Sequence, residues 1–142
     1  MGRKKRNTWV YIDGENVPER KYGAIKEAVS QIGVRDCSKV YGLKNDKSTK
    51  AWTECSRKEK GLRDVRLKGK PEKNKVDRKI KNDIRRDIRE NKGMDVIVIV
   101  SSDKGFRDVV EEGRKAGKRV VVIGEEKTAG KLREACSEFW EI

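Results

Sequence analysis

Apolar and polar positions along this chain alternate between a period of two and a period near four, in a regular order. TWVYID packs β-prone and aromatic residues into a short run ending on Asp13, which predicts a first strand. Beyond it, Tyr22, Ile25, Ala28, Val29 and Ile32 recur at helical spacing. Asn16 and Pro18 resemble the start of that helix and Gly33 its stop. SKVYG predicts a second strand, and STKAWTECSRKEK a helix with Ala51, Trp52 and Cys55 turned inward. GLRDVRL alternates as a half-buried third strand should, and the Pro, Gly and Lys content of KGKPEKNK marks a loop.

From Val76 to about Glu90, the residues Val76, Ile80, Ile84 and Ile88 return every fourth position, so an amphipathic helix is predicted. MDVIVIV is uniformly apolar, the mark of a central parallel strand covered on both faces. A helix from Phe106 to about Ala116, the strand RVVVIG and a helix from Ala129 to about Glu138 complete the alternation. Strand and helix alternating in this way predict the α/β class, a three-layer α/β/α sandwich around a mainly parallel, doubly wound sheet. A strand order of 3-2-1-4-5 makes strands one and four neighbours at the switch point. Their carboxyl ends then share one crevice.

At 142 residues the chain is sized for one domain. The expected organisation is a basic arm over residues 1–7 and a single domain over 8–142. No run is long and apolar enough to span a bilayer, and MGRKKRNTW lacks a secretory core, so a cytoplasmic protein without membrane contact is expected.

The net charge of +13 is unevenly placed: residues 56–92 hold 16 basic and 7 acidic side chains, whereas residues 93–142 hold 9 basic and 10 acidic. A local positive stripe attracts phosphodiester backbones without reading their sequence. Histidine is absent, which removes Ser-His and Cys-His nucleophiles and imidazole-based RNA cleavage. Cys37, Cys55 and Cys136 lack metal-binding or redox spacing. Whatever chemistry the chain performs falls to carboxylates, lysines, hydroxyls or thiols.

Five carboxylates stand where such chemistry would need them: Asp13 after strand one, Asp77 and Asp83 on the middle helix, and Asp103 and Asp108 after strand four. Asp77 and Asp83 border the apolar stripe of their helix instead of facing away from it. Each has a plain structural reading as a turn residue, a helix cap or half of a surface ion pair. Gathered at one sheet edge, they would repel one another unless bound to a hard cation such as Mg²⁺ or Mn²⁺. Such an ion can deprotonate water and neutralise a scissile phosphate.

YIDGENVP, KNKVDRKIKND, VIVIVSSDKGF and GKRVVVIG, in this order, resemble the NYN domain, a branch of the PIN-like nuclease superfamily. The resemblance spans about residues 8–140. It implies a PIN-like fold and a divalent-metal-dependent endoribonuclease acting on single-stranded or structured RNA. In residue terms it implies Asp13, Asp77, Asp83 and Asp103 as the acids and Asn16 as the polar neighbour, with Ser101 and Ser102 shaping the turn.

Many relatives read SGDxDF where this chain has SSDKGF, so Gly105 replaces a frequent acid. Asp108 is the candidate to supply the missing metal ligand, beside Asp13, Asp77 and Asp103. Lys75, Arg78, Lys104, Arg107, Ser101 and Ser102 are the candidate nucleic-acid contacts. Gly105 also motivates the alternative of a catalytically weakened RNA-binding adaptor, and a homodimer is compatible with either.

Overall fold

The computed structural model of the chain describes residues 7–142, apart from the side chains of residues 34–36 and 48. Residues 1–6 of the expected basic arm lie outside the described residues, and Asn7 already belongs to the first strand. The strands are β1 (Asn7–Asp13), β2 (Val34–Leu43), β3 (Leu62–Leu67), β4 (Val96–Val100), β5 (Arg119–Gly124) and β6 (Glu138–Glu141). The helices are α1 (Tyr22–Ile32), α2 (Lys47–Lys58), α3 (Lys75–Glu90), α4 (Arg107–Lys115) and α5 (Gly130–Ala135). All strands pair in parallel, in the order β3-β2-β1-β4-β5-β6. The anticipated order holds, lengthened by one strand.

Every residue of β4 is buried, as its unbroken apolar run requires of a strand covered on both faces. On one face Val10, Ile12, Val40, Val98 and Ile123 pack against the apolar sides of α1 and α2. On the other, Tyr11, Tyr41, Ile97, Ile99 and Val122 meet Ile80 and Ile84 of α3, Val109 and Val110 of α4, and Leu132 of α5. Ile80 and Ile84 are fully buried, and truncating either to Ala should cost roughly 2–5 kcal/mol. That packing fixes the rotation of α3 about its own axis, and with it the directions of the acids that α3 carries.

Three local expectations were displaced by tertiary structure. The chain turns through residues 14–17 and a short 3-10 segment (Glu19–Lys21) before α1 begins, because the Asn16 side chain bonds back to Asp13 instead of capping a helix. Ala51 is exposed, and Thr49 and Thr53 are buried beside Trp52 in its place. The last helix stops at Ala135, and the expected helical end at Glu138 starts β6, with Phe139 and Trp140 packing against the two opposite faces of the sheet.

Candidate active site

The turn after β1 fixes the first acid. Gly14 donates its N–H to the Tyr41 carbonyl at 2.9 Å, and a Cβ at Gly14 would stand 2.7 Å from that same oxygen. Only glycine lets the turn lie this close to β2. Trp52 Nε1 donates to the Val17 carbonyl at 2.8 Å and holds the far end of the turn. Asp13 is left buried at 1 % exposure, its Oδ2 accepting from Asn16 Nδ2 at 2.9 Å and from Ser101 Oγ at 3.0 Å. Among the described residues, Asp13 Oδ1 is buried with no hydrogen-bond partner.

Ser101 joins the two sides of the switch point. While its hydroxyl donates to Asp13, its oxygen accepts from the Asp103 N–H at 3.1 Å. Asp103 Oδ1 accepts from the Gly105 N–H at 2.9 Å and caps the 3-10 turn Lys104–Phe106, so its structural role as a turn residue is real. It is also in hydrogen-bond contact with Asp77, in the first turn of α3. Asn74, just before α3, holds φ at 63°, a left-handed conformation that asparagine tolerates better than most residues.

Asp103 divides two hollows. A cavity of about 380 Å³ on one side is lined by Asp77, Arg78, Lys81, Lys104 and Gly105. A smaller one of about 250 Å³ on the other side is lined by Asn16, Ser102, Glu125 and Lys127. An apolar cavity of about 380 Å³ beneath α1 contains none of the candidate acids among its lining residues.

Burial, above all, raises the pKa of Asp77 to about 7, assisted by its hydrogen bond with Asp103 and by the charges of Asp13, Asp103 and Glu15. Burial also raises that of Asp13, against the opposing hydrogen bonds from Asn16 and Ser101. Glu15 is pushed the same way by desolvation and by the charges of Asp13 and Asp46. Among the described residues no three acidic or sulfur side chains close into a ready-made cation cage. The donor set nonetheless fits a hard divalent cation, because it offers an orphaned carboxylate oxygen on Asp13 beside two crowded carboxylates that gain from an opposite charge.

Asp13, Asn16, Asp77, Ser101 and Asp103 therefore come together. Asp83 does not join them: its carboxylate is taken by the Tyr41 hydroxyl at 2.8 Å, Lys79 at 3.1 Å and Arg86 at 3.5 Å. Asp108 is held instead by Lys81 and Arg85 at 3.1 and 3.2 Å. Lys75 donates to the carbonyls of Lys68 and Lys70 and fastens the preceding loop. Arg78 lines the larger hollow while paired with Glu72, and Arg107 pairs with Glu111. Ser102 accepts from the Glu125 N–H and from the Thr128 hydroxyl, tying the loop after β5 to the site.

Sequence reasoning passed over Glu15, Lys81, Glu125 and Lys127. The signals were present for three of them. Glu15 lies two positions after Asp13, Lys81 one helical turn after Asp77, and Glu125 directly follows a strand as Asp13 ends one.

A family model described as the NYN domain matches residues 7–142. Among solved structures, a protein of unknown function from Vibrio parahaemolyticus is similar at a TM-score of 0.77 and 19% sequence identity, covering 100% of this chain and 96% of that one. No curated protein matches the chain in sequence.

Proposed function

The chain belongs to the NYN domain family, of PIN-like nuclease fold, and we propose that it is a divalent-metal-dependent endoribonuclease whose reacting phosphate sits over Asp13, Asp77 and Asp103. The observation that carries this reading is the buried, partnerless Oδ1 of Asp13 beside the Asp77–Asp103 pair. A buried carboxylate oxygen left without a hydrogen-bond partner is costly unless a cation meets it.

Asp13, Asp77 and Asp103 would hold Mg²⁺ or Mn²⁺. When bound, either ion lowers the pKa of water and neutralises charge on the scissile phosphate and its leaving oxygen. The protein's own part is positional. Ser101 and Asn16 aim the Asp13 carboxylate, and the Gly105 N–H orients Asp103. Arg78, Lys81 and Lys104 place cations on one wall of the larger hollow, where phosphate oxygens flanking the scissile bond would lie. Lys127 is the cation of the smaller hollow on the far side of Asp103. RNA crossing Asp103 would meet positive charge on both sides of the reacting group.

One observation favours a second reading, an RNA-binding adaptor with weakened chemistry. A Cβ at Gly105 would stand 3.3 Å from Asp103 Oδ1 and 3.8 Å from Asp77 Oδ2, so an acid there would enter the cluster, and this chain has none. The deciding experiment is cleavage of single-stranded RNA by purified protein with added Mn²⁺, compared with Asp103→Asn and Asp77→Asn. The nuclease reading expects cleavage that falls at least about 100-fold in each variant. Tight binding without turnover in the parent protein overturns it in favour of the adaptor.

A further inference from the structure

On the face carrying α3, α4 and α5, the helix layer ends before the sheet does. α3 packs on β1 and β2, whereas β3 packs against α2 on the opposite face. The uncovered margin keeps Leu43, Val65, Leu67 and Trp9 only partly buried, although each points to the α3 side. At its lower end Trp9, Lys39, Arg63 and Arg86 line a cavity of about 540 Å³. Trp9 is four residues before Asp13 on the same strand and face, which places it roughly 13 Å from the acidic cluster.

The charges along this margin are arranged for an anion. Lys79 and Arg86 mark the flank of α3 that faces β2, since both pair with Asp83, which Tyr41 of β2 also grips. Across the margin, Lys39 of β2 and Arg63 of β3 point the same way, and neither side chain has a hydrogen bond or ion-pair partner among the described residues. Of the acids lining the cavity, Asp87 is buried and engaged by Tyr11, Asn91 and Arg86, which leaves Glu90 as the exposed one. An aromatic ring beside unpaired cations on an open sheet face is the composition that single-stranded nucleic acid uses, bases stacking on the ring and phosphates meeting the cations.

We propose that this margin between α3 and β3 is a docking track for single-stranded RNA, running from the acidic cluster to Trp9, with Lys39 and Arg63 contacting phosphates a few nucleotides from the scissile bond. It rests on the nuclease reading only for the choice of RNA as occupant. Binding along the track needs no turnover.

The test measures fluorescence anisotropy of a labelled single-stranded RNA of about 20 nucleotides, in EDTA so that no cleavage intervenes, across a range of salt. Changing Lys39→Gln and Arg63→Gln together should weaken binding on the order of tenfold near physiological salt and reduce the log–log salt slope by about 1.4. Trp9→Leu should weaken binding several-fold with the slope unchanged.

Double-variant protein that melts like the parent and binds the long RNA equally well overturns the track. So does double-stranded RNA bound as tightly as single-stranded and weakened equally by the two changes. Failure of the parent to cleave RNA with Mn²⁺, while these binding differences persist, would instead remove the nuclease reading and leave the track standing.

Discussion

The Tyr41 hydroxyl donates a 2.8 Å hydrogen bond to Asp83 Oδ2 beneath α3, and one helical turn further along, the Tyr11 hydroxyl donates to Asp87 Oδ2 at 2.6 Å. The two tyrosines stand on neighbouring strands β1 and β2 and grip successive turns of the same helix. α3 is thus held in rotation and in axial position by polar contacts as well as by Ile80 and Ile84. Asp77 begins the same helix, so this clamp sets where it meets Asp103.

Asp83 is therefore expected to serve stability more than chemistry. Tyr41→Phe leaves the buried Asp83 with Lys79 and Arg86 alone and should cost about 1–2 kcal/mol, read as a lower Tm or denaturant midpoint. Asp83→Asn should lower Tm while keeping RNA cleavage within about tenfold of the parent, in contrast to Asp77→Asn or Asp103→Asn. A loss of cleavage as deep as theirs, with the melting temperature unchanged, would return Asp83 to the reacting group.

Asp77 gives the opposite sign for stability. Its carboxyl titrates near 7 in the folded protein against an ordinary value of 3.8. Between these two values the folded state binds more protons than the unfolded chain, so Asp77 lowers stability as pH rises through this window, and the full cost persists above it. Without divalent ions at pH 8, Asp77→Asn should melt higher than the parent by on the order of 1–2 kcal/mol, or about 3–8 °C. Near pH 4 the difference should vanish. Added Mg²⁺ or Mn²⁺ should narrow the gap at pH 8 by stabilising the parent, which thermal denaturation at fixed protein concentration would register.

Much of this was legible before any coordinates. The β4 run VIVIV and the four-residue spacing of Val76, Ile80 and Ile84 forced a buried strand and an amphipathic helix, and the parallel order brought Asp13 and Asp103 to one crevice. Periodicity assigns a residue to a face and says nothing of its partner. Asp77 and Asp83 both border the apolar stripe of α3, yet Asp77 faces Asp103 and Asp83 lies under Tyr41, a difference set by residues 42 positions apart in the chain. β6 was hidden for another reason: its four residues, EFWE, are too few to declare a period, and they pair only because β5 leaves an open edge.

Gly105 offers a gain-of-function experiment. Its φ is not in the left-handed region, and a Cβ would sit at ordinary to tight distance from the carboxylates of Asp103 and Asp77. Gly105→Asp should therefore fold and add a carboxylate to the cluster, lowering Tm in EDTA and enlarging the Tm rise produced by Mn²⁺ relative to the parent. Gly105→Ala, which adds the carbon without the charge, should follow the parent in both conditions. Equal Mn²⁺ shifts in all three proteins would place divalent binding away from Asp77 and Asp103.

In the proposed nuclease, Ser101 would support the acidic cluster through the pKa of its neighbour. Its hydroxyl is one of two side-chain donors to Asp13 Oδ2, and both oppose the rise that burial imposes on that carboxyl. In Ser101→Ala the donor is lost and the Asp13 pKa rises further, so the carboxylate a cation requires is populated only at higher pH. The acid limb of the cleavage profile should then move to higher pH, and the Mn²⁺ concentration for half-maximal rate should rise on that limb while approaching the parent's as the pH is raised past it. Ser101→Thr keeps the hydroxyl and should largely restore the parent profile. A uniform fall in rate at every pH, with no displacement of the limb, would mean that Ser101 acts through the Asp103 backbone, whose N–H it also accepts at 3.1 Å, and not through Asp13.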